Sequence, residues 1–221
     1  MQGLLTGKKR LPGFEVIPRY KQTEVGVIPE DLGVRPVSTF GDIVTGGTPP
    51  TAAKSFWGGE YPWVTPTDIS TRRDIYTSER CISASGLKAL RALPANSVLV
   101  TCIASIGKNA VLRAVGACNQ QINAVIPNNN HVAELLYYIF ENSKAYLLAN
   151  AGITATNIVS KAVFKELLFP LPPTKAEQQA IATILSDMDS EIAALEANLA
   201  KAHQLKQGMM QELLTGNTRL I

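Results

Sequence analysis

The sequence is poor in the residues that build metal and redox centres. Its two histidines, His131 and His203, have no cysteine or second histidine close by, and its three cysteines, Cys81, Cys102 and Cys118, are far apart and odd in number. A zinc site draws three or four such ligands from short spacings, so none is expected. The cysteines read as small core residues of a reducing compartment, not as a disulfide framework. No apolar run approaches the ~18 residues of a membrane span. The opening MQGLLTGKKR puts its charges after a very short apolar run, the wrong order and length for a secretory signal, and the expected location is cytoplasmic.

Catalytic patterns are also missing. TPPTAAKS (residues 48–55) ends like a phosphate loop, but Thr48 and Ala53 stand where that loop needs glycines, and the backbone cannot wrap a phosphate without them. No glycine-rich cofactor turn follows a strand. The Asn/Asp-Pro-Pro-aromatic stretch with which amino-methyltransferases hold a target base does not occur. No cofactor and no catalytic residue is therefore expected.

What is present is an ordinary globular composition, 46% apolar and 18% charged, with an uneven charge distribution. The net charge of +3 divides into +2 over residues 1–30, +3 over 31–170 and −2 over 171–221. The basic excess off the C-terminal segment permits a nucleic-acid surface on the middle of the chain.

The clearest element is C-terminal. Pro170, Pro172 and Pro173 bar helix before them, and Thr174 stands three residues ahead of Glu177, the spacing of a capping box. Gly216 suits the left-handed residue that ends a helix. Between these stops lie about 40 residues, a rod of roughly 60 Å. Its apolar positions advance in steps of four and three: Ile181, Leu185, Met188, Ile192, Leu195, Leu199, Ala202, Lys206, Met209, Leu213. That is the seam of a coiled coil, with Lys206 able to lay its stem along the groove. A seam of this length left bare forfeits on the order of 10 kcal/mol of burial, so a partner helix is expected.

The chain also repeats itself. Residues 1–11, MQGLLTGKKRL, and 210–220, MQELLTGNTRL, share eight of eleven positions. If MQELLTG is the last turn and stop of the long helix, MQGLLTG is the end of an earlier copy, whose body does not precede it here.

Between the two copies, residues 20–170 read as one mixed α/β domain. FGDIVTGGTPPTAAKSFWGGEYPWVTPTDIS mixes short strand-like runs with Gly-Gly and Pro-Pro turns, and NSVLVTCIASIGKNAVLRAVGACNQQINAVIPN contains two or three β-branched strands. HVAELLYYIFENSKAYLLAN is helical, and AGITATNIVSKAVFKELLFPLP runs through a polar loop to a helix and a short strand. The polar loops carry chemistry suited to reading bases. Asn119, Gln120 and Gln121 offer paired amide donors and acceptors. Thr154, Thr156 and Asn157 cluster in a second loop, and Thr65, Thr67, Asp68 and Ser105 complete the polar candidates. Lys54, Arg72, Arg73 and Lys108 can neutralise phosphates. Trp57 can stack or pack, whereas Trp63, between proline and valine, suits a core better than a DNA face.

Several of these stretches resemble the specificity subunit of type I restriction-modification systems. They are YKQTEVGVIPEDLG, the GGTP turn with FWGGEYPWVTPTDI, VLVTCIASIGKNAV with NQQINAVIP, GITATNIVSKAVFKELLFPLPPTKAEQQAIA and the closing LKQGMMQELLTGNTRL, in order along almost the whole chain. One departure is Leu32–Gly33, where many relatives place a tryptophan; a change of packing is the expected consequence. The resemblance implies an α+β architecture: a target-recognition domain over 20–170, preceded over 1–19 by the end of a spacer helix and a linker, and followed over 171–221 by a spacer helix in an antiparallel coiled coil. A complete subunit of this family has two such domains and two such helices, so this chain looks like a half. The implied partners are double-stranded DNA, separate modification subunits that bind S-adenosylmethionine, a restriction subunit, and a second copy of this chain through the helix. A coiled-coil scaffold whose middle domain binds protein, and a fragment of a DNA methyltransferase, are the competing readings.

Overall fold

The computed structural model describes residues 2–15, 19–152 and 157–215. These form two compact units, residues 1–182 and 183–221. The first opens with a single helical turn, α1 (Gln2–Leu5), and a hairpin of β1 (Tyr20–Thr23) and β2 (Gly26–Pro29). β3 (Gly33–Pro36), β4 (Gly41–Thr45), β5 (Trp57–Val64), β6 (Asp74–Ile75) and β7 (Cys81–Ile82) follow, then the short α2 (Ala84–Lys88). β8 (Ser97–Thr101), β9 (Asn109–Leu112), β10 (Ala117–Cys118) and β11 (Ile122–Pro127) come next. The unit closes with α3 (Ala133–Asn142), α4 (Lys144–Ala149), α5 (Lys161–Glu166), β12 (Leu168–Leu171) and the first turns of α6 (Lys175–Leu214).

The β-branched run supplies four strands, all in the core sheets. A five-stranded sheet has the order β4-β11-β8-β9-β6, antiparallel except for β6 beside β9. β8 and β9 are buried at every residue, which explains why SVLVT reads as a continuous apolar run and not as an alternation. α3 packs on β8 and β9 with Leu135, Leu136, Tyr138 and Phe140 buried. A three-stranded sheet, β10-β5-β7, carries a bulge between Trp57 and Tyr61 on β5. β12 pairs antiparallel with β3.

The expected helix over HVAELLYYIFENSKAYLLAN is two helices, because Ser143 (φ −112, ψ 19) leaves helical geometry between them. An ion-pair network ties the parallel edge to α3. Asp74 accepts from Arg73 (2.9 Å) and Arg113 (2.7 Å), Arg113 also reaches Glu134 (2.6 Å), and Arg73 donates to the Tyr138 hydroxyl (3.0 Å). Burial opposes the Asp74 charge, but the hydrogen bonds from Arg73 and Arg113 outweigh it and hold the carboxyl below its usual range.

The start of α6 corrects one expectation. Thr174 Oγ1 accepts from the Glu177 backbone N–H (3.2 Å), as a capping residue should. The Glu177 carboxylate does not complete a reciprocal box with Thr174. It turns to Arg10, whose Nη2 donates at 2.9 Å and whose Nε lies 2.8 Å away. Glu177 is 2% exposed, and a carboxylate so buried requires a cation close by. Burial still raises its pKa, against the lowering effect of Arg10. Gln178, equally buried, accepts from Val132 N–H (3.3 Å) and donates to Pro172 O (3.3 Å). The adjacent Glu-Gln pair therefore joins the helix start to the body.

In the second unit α6 runs to Leu214 without a break. The seam is buried at Ile181 and Leu185 and exposed from there on, with Ile192 at 53%, Leu195 at 60% and Leu199 at 59%. Ala202 and Lys206 are also exposed, and Gly216 lies outside the described residues. Among the described residues no helix is long and apolar enough to cross a membrane.

Candidate nucleic-acid interface

The two diglycine-and-amide turns fit together because Gly46 has no side chain. A Cβ there would lie 2.2 Å from Asn119 O, and Gly46 and Gly47 N–H donate to Ile122 O and Cys118 O. This seats the GGTP turn against Asn119–Gln121 and lets Thr48 Oγ1 donate to Gln120 Oε1 (2.7 Å). Trp63, 5% exposed, donates its indole N–H to Gly47 O (2.8 Å), consistent with its apolar flanks.

Above these turns is a cleft of about 460 Å³. One wall is the Thr65–Asp68 turn, where Asp68 accepts from Thr65 N–H (2.8 Å), Thr65 Oγ1 (2.7 Å) and Glu79 N–H (2.8 Å). Thr67 and Thr65 hydroxyls lie 2.8 Å apart. A second wall is the β8–β9 loop, Ile103–Ser105, in which Ala104 is held at φ +61. A non-glycine residue in the left-handed region costs of order 1–3 kcal/mol and is a recurrent feature of ligand clamps. The floor contains Asn119 and Gln121.

The third wall is Arg80, which the sequence reading missed. Its guanidinium carbon stands 3.8 Å from the Trp57 ring centroid and 5.3 Å from that of Trp63, and the two indoles meet edge to face at 5.0 Å. Its backbone is fixed by donation from Trp63 N–H to Arg80 O (3.1 Å) and from Ser78 Oγ to the same oxygen (2.7 Å). Among the described residues no carboxylate pairs with Arg80. Stacking on indole is worth about 0.5–2 kcal/mol and fixes the planar fork while leaving its N–H edge free for a ligand.

The cleft thus gathers Thr65, Thr67, Asp68, Ser105, Asn119 and Gln121 from the expected set, with Trp63 and the unforeseen Glu79 and Arg80. Asn119 is engaged within its own turn, donating to Gln121 Oε1 and accepting from Gln121 N–H, both at 3.0 Å. Gln120, Lys54, Arg72 and Lys108 are exposed outside the cleft lining, and Trp57 backs Arg80. Asn157 is exposed and its carbonyl accepts from Ala104 N–H (3.4 Å); Thr154 and Thr156 lie outside the described residues. Arg73 does not join the set, because Asp74 and Tyr138 hold its guanidinium.

Two buried thiols sit beneath. Burial pushes Cys102 up to about 11, with Asn123 Nδ2 donating to its sulfur (3.1 Å), and pushes Cys118 up to about 12. Neither is a thiolate near neutrality, so neither is a ready nucleophile.

The chain thus joins a mixed α/β body, with a guanidinium clamped over aromatic rings, to a long heptad-patterned helix. Residues 29–204 match the family model for the type I restriction modification DNA specificity domain, and the chain belongs to that family. It is 34% identical over 200 residues to the type I restriction enzyme MjaIX specificity subunit of Methanocaldococcus jannaschii, covering 88% of this chain and 45% of that one. With the EcoR124I/EcoR124II specificity subunit of Escherichia coli it shares 28% over 183 residues, 76% of this chain and 44% of the relative. The fold matches the HsdS subunit crystal structure from Thermoanaerobacter tengcongensis with a TM-score of 0.64 at 19% identity, over 96% of this chain and 48% of that one. The chain spans about half the length of the curated relatives it matches.

Proposed function

We propose that this chain is a non-catalytic, sequence-specific DNA-binding subunit that reads one half of a bipartite target for separate methyltransferase and restriction subunits in the cytoplasm. The observation that carries the reading is the cleft itself: a fixed guanidinium that no carboxylate among the described residues pairs, opposite hydroxyl and amide groups, in a chain of the DNA specificity family. Arg80 presents a fork suited to guanine O6 and N7, and Gln121, Thr67 and Ser105 offer further donors and acceptors to base edges. Lys54, Arg72 and Lys108 supply phosphate contacts that set register without reading sequence. Gln120 and Asn157, with Thr154 and Thr156, supply further donors and acceptors to the DNA.

The bare seam of α6 is covered by the seam of a second copy running antiparallel. The resulting two-fold dimer holds two identical readers at a fixed separation, so its DNA target is an inverted repeat.

The test is equilibrium binding of the purified chain to a pool of random duplexes across a salt series. Selective enrichment of a subset, with affinity falling linearly in log–log with salt, is the expected result. Equal affinity for all duplexes, or no salt slope, contradicts it.

A further inference from the structure

The cleft's internal hydrogen bonds decide which of its groups are left to meet a ligand. Asp68 is engaged at both oxygens: Oδ1 accepts from Glu79 N–H (2.8 Å), and Oδ2 from Thr65 N–H (2.8 Å) and Thr65 Oγ1 (2.7 Å). Because the Thr65 hydroxyl proton goes to Asp68, the 2.8 Å contact between the Thr65 and Thr67 hydroxyls uses the Thr67 proton, and Thr67 Oγ1 is left as an acceptor. Gln121 Oε1 is taken by Asn119 Nδ2 (3.0 Å), which leaves the Gln121 amide nitrogen as a donor.

Glu79 is the other carboxylate of the cleft lining. It is exposed, its backbone is tied to Asp68, and among the described residues its carboxylate has no hydrogen bond or ion pair. Arg80, the next residue, does not neutralise it; that guanidinium is held over Trp57. A bare carboxylate in a cleft that meets a polyanion weakens binding to every duplex unless a group in the groove donates to it. The major-groove donors are the amines at adenine N6 and cytosine N4. Adenine sets its N7 acceptor beside N6, and a carboxylate has no proton to give it. Cytosine N4 stands alone as a donor, and O6 and N7 of its guanine partner suit Arg80.

We propose that Glu79 is a specificity-determining residue, accepting from the N4 amine of a cytosine in the same G·C pair whose guanine Arg80 contacts. Consecutive Cα atoms stand about 3.8 Å apart, close enough for both side chains to reach one base pair. This inference rests on the DNA reading proposed above.

The test takes the duplex selected from the random pool into equilibrium titrations with the full chain, Glu79→Ala and Glu79→Gln, each checked for native folding by circular dichroism. A hydrogen bond to a charged group is worth roughly tenfold in affinity. The unaltered chain should therefore lose about tenfold when 2-pyrimidinone, which lacks the amine, replaces one particular cytosine; this arm needs no variant. Glu79→Ala should bind the cytosine and 2-pyrimidinone duplexes alike, and should bind unselected duplexes more tightly than the unaltered chain does. Glu79→Gln, whose carbonyl still accepts, should keep part of the discrimination. A carboxylate that is merely solvated gives a different result: Glu79→Ala tightens selected and unselected duplexes by one common factor. That result, or indifference of the unaltered chain to the amine of every cytosine, overturns the proposal and leaves the DNA reading standing. A pool that yields no selected duplex overturns both.

Discussion

Leu195→Asp is the sharpest perturbation of the proposed helix pairing. Leu195 sits mid-seam, 60% exposed, so a covering helix removes only that fraction of its surface from water. A fully buried leucine is worth about 1.5–3 kcal/mol, which leaves about 1–2 kcal/mol for this one. A two-fold dimer contains the substitution twice, so about 2–4 kcal/mol is lost, or roughly 30- to 1,000-fold in the dissociation constant. Desolvating two carboxylates in an apolar seam adds to this. Sedimentation velocity over a concentration series reads the change directly. The control is Ala197→Asp, two residues on and exposed, off the seam and with a similar loss of helix propensity. At concentrations where both are monomeric the two variants should unfold at similar temperatures, and they should differ in self-association. A parent chain that stays monomeric at its highest attainable concentration, or indistinguishable dissociation constants for the two variants, refutes the reasoning.

Arg80→Ala should reduce binding to the preferred duplex by about 1–3 kcal/mol, relax the preference at one base pair and leave the salt slope nearly unchanged, since the lost contact is to a base edge; binding to single-substituted duplexes measures it. Because Asp74 titrates lower in the folded state than its unfolded 3.8, its stabilising contribution is complete above the unfolded value and disappears as pH falls through the folded one. Thermal melts between neutral pH and pH 3 should therefore fall less steeply for Asp74→Asn, from a lower starting stability. Alkylation at mildly alkaline pH should label Cys81, which is half-buried, and spare Cys102 and Cys118, whose thiols are held up to about 11 and about 12; intact mass gives the count, and triple labelling of folded protein contradicts this.

The long helix was legible because its determinants are local: prolines before it, a capping threonine, and apolar residues at intervals of three and four that survive without tertiary context. Trp63 was legible from its apolar neighbours. Glu177 was not, because its partner is Arg10, 167 residues earlier, and local spacing favours the capping box. Arg80 escaped for the same reason. Nothing in SERCI marks it, and only the antiparallel approach of β7 to the bulged β5 brings it over Trp57. Arg73 was misplaced because a basic pair on a loop looks solvated, whereas the short β6 turns Arg73 toward Tyr138 while Arg72 stays exposed. The loop polar groups were legible as a set. Which of them face one cleft depends on the GGTP turn meeting Asn119–Gln121, and that contact rests on a glycine's missing Cβ.

The most direct test of two identical readers held by paired helices is the methylome of cells that express this chain as the sole specificity subunit beside its modification subunit. The account predicts a bipartite methylated motif whose two halves are inverted copies of one another, separated by a constant gap. A motif with two unrelated halves, or methylation at an isolated half-site, contradicts it.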